Sequence, residues 1–270
     1  MGDARRVLAG KRIVVTRAAA QAVDLLKALQ YAGAIPILLP VIRILPPEDF
    51  SLLDEALRKL DEFDWLLFTS QNAVRIVQER LEILGTALPK AAPKLAAGAV
   101  GQSTAEEARG AGFSVMHVAS RPLGVALVEE LGGQLNGKRV LLPRSDRASP
   151  DIVTALARVG ARVTEVVAYR TVSEEAQDEE VVSKAMGADA VIFFSPSAVD
   201  GFDTVCGAGN LAEFSAVGVV LASGPVTLAA LCARGIANAS AAVEPSVARI
   251  IEALANSFEA RDQRVSSGAN

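Results

Sequence analysis

The chain carries one pattern twice. Gly10-Lys11-Arg12-Ile13-Val14-Val15-Thr16-Arg17 returns as Gly137-Lys138-Arg139-Val140-Leu141-Leu142-Pro143-Arg144, and the same offset of 127 residues relates Gly33 to Gly160 and Arg43 to Arg170. A second pair is Phe68-Thr69-Ser70-Gln71-Asn72-Ala73-Val74 and Phe194-Ser195-Pro196-Ser197-Ala198-Val199; a third is Gly101-Gln102-Ser103-Thr104-Ala105 and Gly224-Pro225-Val226-Thr227-Leu228. A repeated unit of this size predicts two similar lobes. Two lobes predict a cleft, the place where small molecules usually bind.

The repeated unit reads as α/β. Short aliphatic or β-branched runs predict strands at 12–16, 35–39, 65–69, 95–100, 115–118, 139–143, 163–168, 190–194 and 217–221. Most are apolar at successive positions, as in a parallel sheet covered on both faces. Between them, Ala22, Leu25, Leu26 and Leu29 recur at helical spacing before Gly33, and Ile152, Ala155, Leu156 and Val159 before Gly160. Alternating strands and helices predict a doubly wound sheet. Strand-like 41–45 and 168–172 fall at matching points of the two copies, followed by Pro46-Pro47 and by the acidic stretch 173–180. Two such connectors can carry the chain out of one lobe and back, but the repeat alone equally fits lobes side by side. The small polar tail, 260–270, is expected to be disordered.

Composition narrows the chemistry. At 270 residues and 51% hydrophobic the chain is long enough for two cores, and its net charge of −4 argues against nonspecific nucleic-acid binding. No apolar run has the length of a membrane span, and Met1–Arg6 lacks the apolar stretch of a signal peptide, so a cytoplasmic protein is expected. Cys206 and Cys232 are too few for a disulfide framework or zinc cluster and are read as helix-packing residues. His117 is the single histidine, which leaves little material for a His-based triad or metal site.

The strand-to-helix corners hold the polar residues of interest: Thr69-Ser70-Gln71-Asn72, Gly101-Gln102-Ser103-Thr104, Ser195-Pro196-Ser197 and Ser223-Gly224-Pro225-Val226-Thr227. In parallel sheets such corners gather at the carboxyl ends of the strands, where ligands bind. Free N–H groups and the helix dipole favour anions there, although each corner read singly is also an ordinary cap. None is a dinucleotide fingerprint or a P-loop. Arg17 and Arg144 end equivalent strands and suit carboxylates, with Thr16 and Arg147 as further donors. No carboxylate pair stands out as an acid/base couple.

Taken together, these stretches resemble the uroporphyrinogen-III synthase family from Lys11 to about Leu254. The matches are 13–17, 64–74, 99–105, 141–144, 167–171, 193–199 and 223–227, in that order. The chain departs from the family pattern at Ala18, at Val226 and at Ser145-Asp146, where relatives often have proline, Thr or Ser, and glycine respectively. The resemblance implies two similar doubly wound parallel-sheet domains joined by a two-strand connector. The first would be discontinuous, 1–43 with 172–270, and the second 44–171. It implies cyclisation of hydroxymethylbilane to uroporphyrinogen III with loss of water and inversion of ring D, without metal or organic cofactor; separately, the lack of a large apolar surface stripe in the sequence leads to the expectation of a monomer. Loss of the substrate hydroxyl gives an azafulvene, and a hydrogen-bond donor to the leaving oxygen suffices. Tyr169, in the second connector, matches the family's tyrosine and is the expected donor. Ser70, Thr104, Ser197 and Thr227 would bind substrate carboxylates, with Thr16, Arg17, Asn72, Gly101, Arg144, Ser195 and Gly224 completing the expected site; Tyr31 is read as helix packing. The rivals are a non-catalytic two-lobed binding or regulatory protein and a nucleotide-sugar transferase.

Overall fold

A computed structural model describes residues 7–86, 88, 92–174 and 177–267 of the chain. Met1–Arg6, residues 175–176 of the acidic connector and the last three residues of the expected tail lie outside the described residues. The chain divides into two compact units, Met1–Arg43 with Val172–Asn270 (unit 1) and Ile44–Thr171 (unit 2).

Unit 1 is built on strands β1 (Arg12–Val15), β2 (Ile35–Leu38), β9 (Ala190–Phe193), β10 (Val219–Ala222) and β11 (Ser240–Ala241), ordered β11-β10-β9-β1-β2. Unit 2 uses β4 (Trp65–Phe68), β5 (Ala96–Ala99), β6 (Val115–Val118), β7 (Arg139–Ser145) and β8 (Arg162–Ser173), ordered β8-β7-β4-β5-β6. The chain passes between the units through β3 (Ile42–Leu45), which lies beside β8, and through the end of β8 itself. The ladders β1–β2, β1–β9, β9–β10, β4–β5, β4–β7 and β7–β8 are parallel.

Burial on both faces explains why these strands are apolar throughout. In β4, Leu66 and Phe68 join one core while Trp65 and Leu67 join the other; in β9, Val191 and Phe193 oppose Ala190 and Ile192. Helices cover each face. In unit 2, α3 (Gln71–Ile83) presents Ala73, Val74, Val77 and Leu81 to the Phe68 side. In unit 1, α1 (Ala19–Tyr31) presents Ala22, Leu25 and Leu29, and α11 (Val247–Ser267) Ile250, Leu254 and Phe258, to the Ile192 side.

The repeat explains the topology. Matching the copies, β1 corresponds to β7, β2 to β8, β9 to β4 and β10 to β5. The two sheets then have the same spatial order, but unit 1 runs through it as β1, β2, β9, β10, β11 and unit 2 as β4, β5, β6, β7, β8. The units are circular permutants of one another. Each takes its first two equivalent strands from one copy of the repeat and its last three from the other. The order also fixes a switch point in each sheet, between β1 and β9 and between β7 and β4, where successive connections turn in opposite directions. Doubly wound sheets bind ligands outside the carboxyl ends of the strands at such points.

Three expectations need correction. The tail does not lose structure at 260, because α11 continues to Ser267. Leu254 and Phe258 anchor it, and Glu259, Ala260, Arg261 and Gln263 favour helix, with no breaker before Gly268. Tyr31 is 65% exposed rather than buried in the helix packing, since it falls off the Ala22-Leu25-Leu29 stripe. Cys206 is buried but Cys232 is exposed on its helix. Among the described residues no helix is long and apolar enough to cross a membrane.

Candidate active site

The four corners divide into two kinds. Ser70 and Ser195 begin α3 and α8 (Pro196–Cys206) in nearly the same conformation, φ −156° and −158°, and each Oγ accepts from the N–H three residues on at 3.2 Å. Gly101 and Gly224 precede α4 (Gln102–Gly110) and α10 (Pro225–Ala233) with no side-chain cap. Each unit therefore has one corner capped by its own serine and one that leaves helix N–H groups open, with the positive end of a helix behind them.

The open corners differ in why they hold glycine. Gly101 has φ +86°, a conformation L side chains rarely adopt. Gly224 is fully extended, φ −179°, and a Cβ there would meet nothing within 4 Å. Neither backbone nor packing requires glycine at 224; its effect is to leave space before the Val226 and Thr227 N–H groups. Thr104 and Thr227, in the first turns of these helices, are both 4% exposed.

At the switch point of unit 2 a polar cluster forms around Tyr169. Its ring lies in the Phe68 core and it is 6% exposed. Its hydroxyl is 2.9 Å from Ser70 Oγ, with either atom able to donate. A bulge makes this contact possible. Arg144 pairs with Val167, but Ser145 pairs with Tyr169, so one residue of β8 is skipped. Alternation would otherwise send Ala168 and Tyr169 to opposite faces; both instead lie in the same core, on the α3 side. Burial pushes the Tyr169 phenol above its ordinary pKa; the Ser70 bond lowers it, the Asp146 carboxylate adds to the rise, and Arg144 and a hydrogen bond with Asn72 oppose it. With the balance upward, the phenol holds its proton at neutral pH and is a hydrogen-bond donor.

Thr16 and Arg144 are both buried. Thr16 is 1% exposed and its hydroxyl donates to the Ile192 carbonyl at 2.8 Å, closing the β1–β9 ladder. Arg144 is 3% exposed, donates to the Ser149 carbonyl at 2.7 Å and lies 3.2 Å from Glu165 Oε1. Strand alternation turns it to the face opposite Ser145. Arg17 stays partly exposed over the Phe194 ring, with Nε donating to Gln21. Ser197 bonds Ser195 at 3.0 Å. Arg147 lies in the exposed loop after β7. His117 is held by Glu130 at 2.7 Å. A cavity of about 530 Å³ in unit 1, lined among others by Asn238, Arg249, Glu252 and Arg261, includes none of the corner residues.

Comparison with known proteins gives these corners a family. The family model described as uroporphyrinogen-III synthase HemD matches residues 23–252, which include the four corners and Tyr169. The chain belongs to the uroporphyrinogen-III synthase family. It is 33% identical over 230 residues to the uroporphyrinogen-III synthase of Synechococcus elongatus, covering 83% of this chain and 86% of that one. Among solved structures, a mutant uroporphyrinogen III synthase of Thermus thermophilus superposes with a TM-score of 0.67 at 20% identity, over 93% of this chain and 99% of the other. The Helicobacter pylori enzyme gives 0.54 at 19%, over 90% and 97%. At those identities the structures establish the shared two-domain α/β fold.

Sequence reasoning passed over the residues that hold Tyr169. The Asp146 backbone N–H donates to the Tyr169 carbonyl at 3.1 Å, and its Oδ1 accepts from the Thr171 N–H at 2.9 Å. Ser145 Oγ lies 2.9 Å from Thr171 Oγ1. The available signal was a Ser-Asp pair directly after a strand, which favours side-chain bonds to nearby backbone.

Proposed function

We propose that the protein cyclises hydroxymethylbilane to uroporphyrinogen III with loss of water, and that Tyr169 donates the hydrogen bond to the leaving hydroxyl. The observation that carries the assignment of roles is the Tyr169–Ser70 contact at the unit 2 switch point. Ser70 Oγ already accepts from the Ala73 N–H. If Ser70 donates to Tyr169, the phenol proton is free to point at substrate. The chain from Ala73 N–H through Ser70 and Tyr169 starts at a helix N-terminus, and each bond polarises the next. Departure of the hydroxyl is driven by the pyrrole nitrogen lone pair, so this donor need only stabilise the oxygen as it leaves.

In unit 2 the open amide corner Gly101–Thr104, and in unit 1 the open corner Gly224–Thr227 and Arg17, are the groups of each unit suited to substrate carboxylates. Ser195 and Ser197, bonded to each other, and Asn72, bonded to Tyr169, add polar groups at the serine-capped corners. Local helix fields, rather than the net charge of −4, then attract the substrate. Binding the chain in a folded form favours attack through the substituted carbon of ring D, which separates isomer III from the isomer I formed spontaneously. On this proposal the protein works as a cytoplasmic monomer on a small molecule, without metal, organic cofactor or nucleic acid. Supplying hydroxymethylbilane and resolving the products by isomer tests it. Isomer III above the spontaneous isomer I background is expected; isomer I alone, with stable ligand binding, would instead identify a non-catalytic binder.

A further inference from the structure

Tyr169 sits one residue past the point where its strand leaves regular register. β7 ends at Ser145, which pairs with Tyr169 just past the bulge, so no later residue of β7 continues the ladder beyond that pair. Asp146 does so instead. In a parallel ladder one residue donates its N–H to one residue of the neighbouring strand and accepts, through its carbonyl, from the residue two further on. Asp146 donates its N–H to the Tyr169 carbonyl, but the Thr171 N–H goes to the Asp146 side-chain Oδ1. The carboxylate stands where the main-chain carbonyl would be. Ser145 Oγ, 3.0 Å from the same Oδ1 and 2.9 Å from Thr171 Oγ1, ties the carboxylate to the face that carries Tyr169.

This clamp grips β8 on both sides of Arg170, just past the register shift that precedes Tyr169. The Tyr169 hydroxyl is 2.9 Å from Ser70, at the start of a different helix. A shift of about 1 Å in β8 breaks that contact, and a misplacement of that size can cost about 100-fold in rate. Asp146 itself is exposed and outside both cores, so its value to stability is small.

We propose that Asp146 is a positioning residue for Tyr169: its side-chain acceptor, rather than its charge, fixes the bulge that delivers the phenol to Ser70. The inference rests on Tyr169 being the donor. Two variants separate shape from charge. Asp146→Asn keeps Oδ1 where it is and removes the charge; Asp146→Glu keeps the charge and moves the acceptor by one methylene. Turnover of hydroxymethylbilane to isomer III is measured for both, alone and combined with Tyr169→Phe, with circular dichroism as the check of fold. The expected result is a kcat within about twofold of wild type for Asn and a loss of about tenfold to 100-fold for Glu, with KM little changed. In the Tyr169→Phe background Asp146→Glu is expected to add little, because both changes remove the same contribution. A full loss in Asn with activity kept in Glu overturns the proposal in favour of charge. Equal activity of both with wild type, or a full additional loss in the Tyr169→Phe background, overturns it as well. Tyr169→Phe alone at wild-type turnover removes the donor reading itself, which is a separate outcome.

Discussion

Replacing Tyr169 by Phe isolates one hydroxyl. The ring remains, so the Phe68 core keeps its packing. The loss is the hydrogen bond with Asn72 and the 2.9 Å contact with Ser70, whose Oγ still accepts from the Ala73 N–H and is not orphaned. A single such hydrogen bond contributes about 0.5–1.5 kcal/mol to stability. The kinetic term is larger. A positioned proton or hydrogen-bond donor contributes about 10²–10⁴-fold to rate, or roughly 3–5 kcal/mol at about 1.4 kcal/mol per factor of ten. Tyr169→Phe is therefore expected to unfold only slightly earlier in denaturant while kcat for isomer III falls by at least about 100-fold. The assay follows hydroxymethylbilane consumption and resolves isomers III and I, because spontaneous closure masks slow variants when only total product is read. A folded Tyr169→Phe protein within about threefold of wild-type kcat would refute the argument that this phenol stabilises the leaving oxygen.

Other expectations follow from single positions. Gly224→Ala is expected to leave thermal stability almost unchanged, because the backbone is extended and a Cβ meets nothing within 4 Å, but to raise KM by crowding the open amides; an unchanged KM would remove that corner from the binding site. Glu130 is held at a pKa of about 2, below its ordinary 4.5, by Ser120 and then His117. A carboxyl depressed in the folded state stabilises above its unfolded pKa and loses that contribution as pH falls toward the folded one. The stability advantage of wild type over Glu130→Gln should thus shrink between pH 4.5 and about 2, and parallel denaturation midpoints across that window would refute it. Burial raises the Cys206 thiol to about 11, whereas Cys232 is exposed. A thiol reagent at neutral pH is expected to label one cysteine in the native protein and both in denaturant; rapid native labelling of Cys206 would contradict its burial.

Part of the site was legible because it depends on local rules. A serine directly after a buried strand is a cap, and Ser70 and Ser195 cap their helices alike. Glycine at the N-cap has no side chain to close the first turn, and Gly101 and Gly224 provide none. Direction was not legible. Thr16 and Arg144 are polar residues at strand ends, but a residue's face depends on alternation, and theirs turned them to the Ile192 carbonyl and the Ser149 carbonyl. Tyr31 failed for the corresponding reason on a helix. Tyr169 reached Ser70 through a bulge, which no run of residue types announces: Val167, Ala168 and Tyr169 read as ordinary strand.

The sequence by itself determined the kinds of element, their order and their duplication, because burial of a parallel sheet on both faces demands apolar runs that recur wherever the unit recurs. Tertiary structure decided which copy's strands share a sheet. Corresponding strands of the two copies carry interchangeable apolar faces, so composition does not distinguish β1 beside β9 from β1 beside β4; long-range pairing does. It also decided the asymmetry of the two switch points. In unit 1 the capping serine bonds Ser197, and in unit 2 its equivalent meets a phenol 99 residues away in the chain. That contact joins two strands and a helix at a spacing no local pattern encodes.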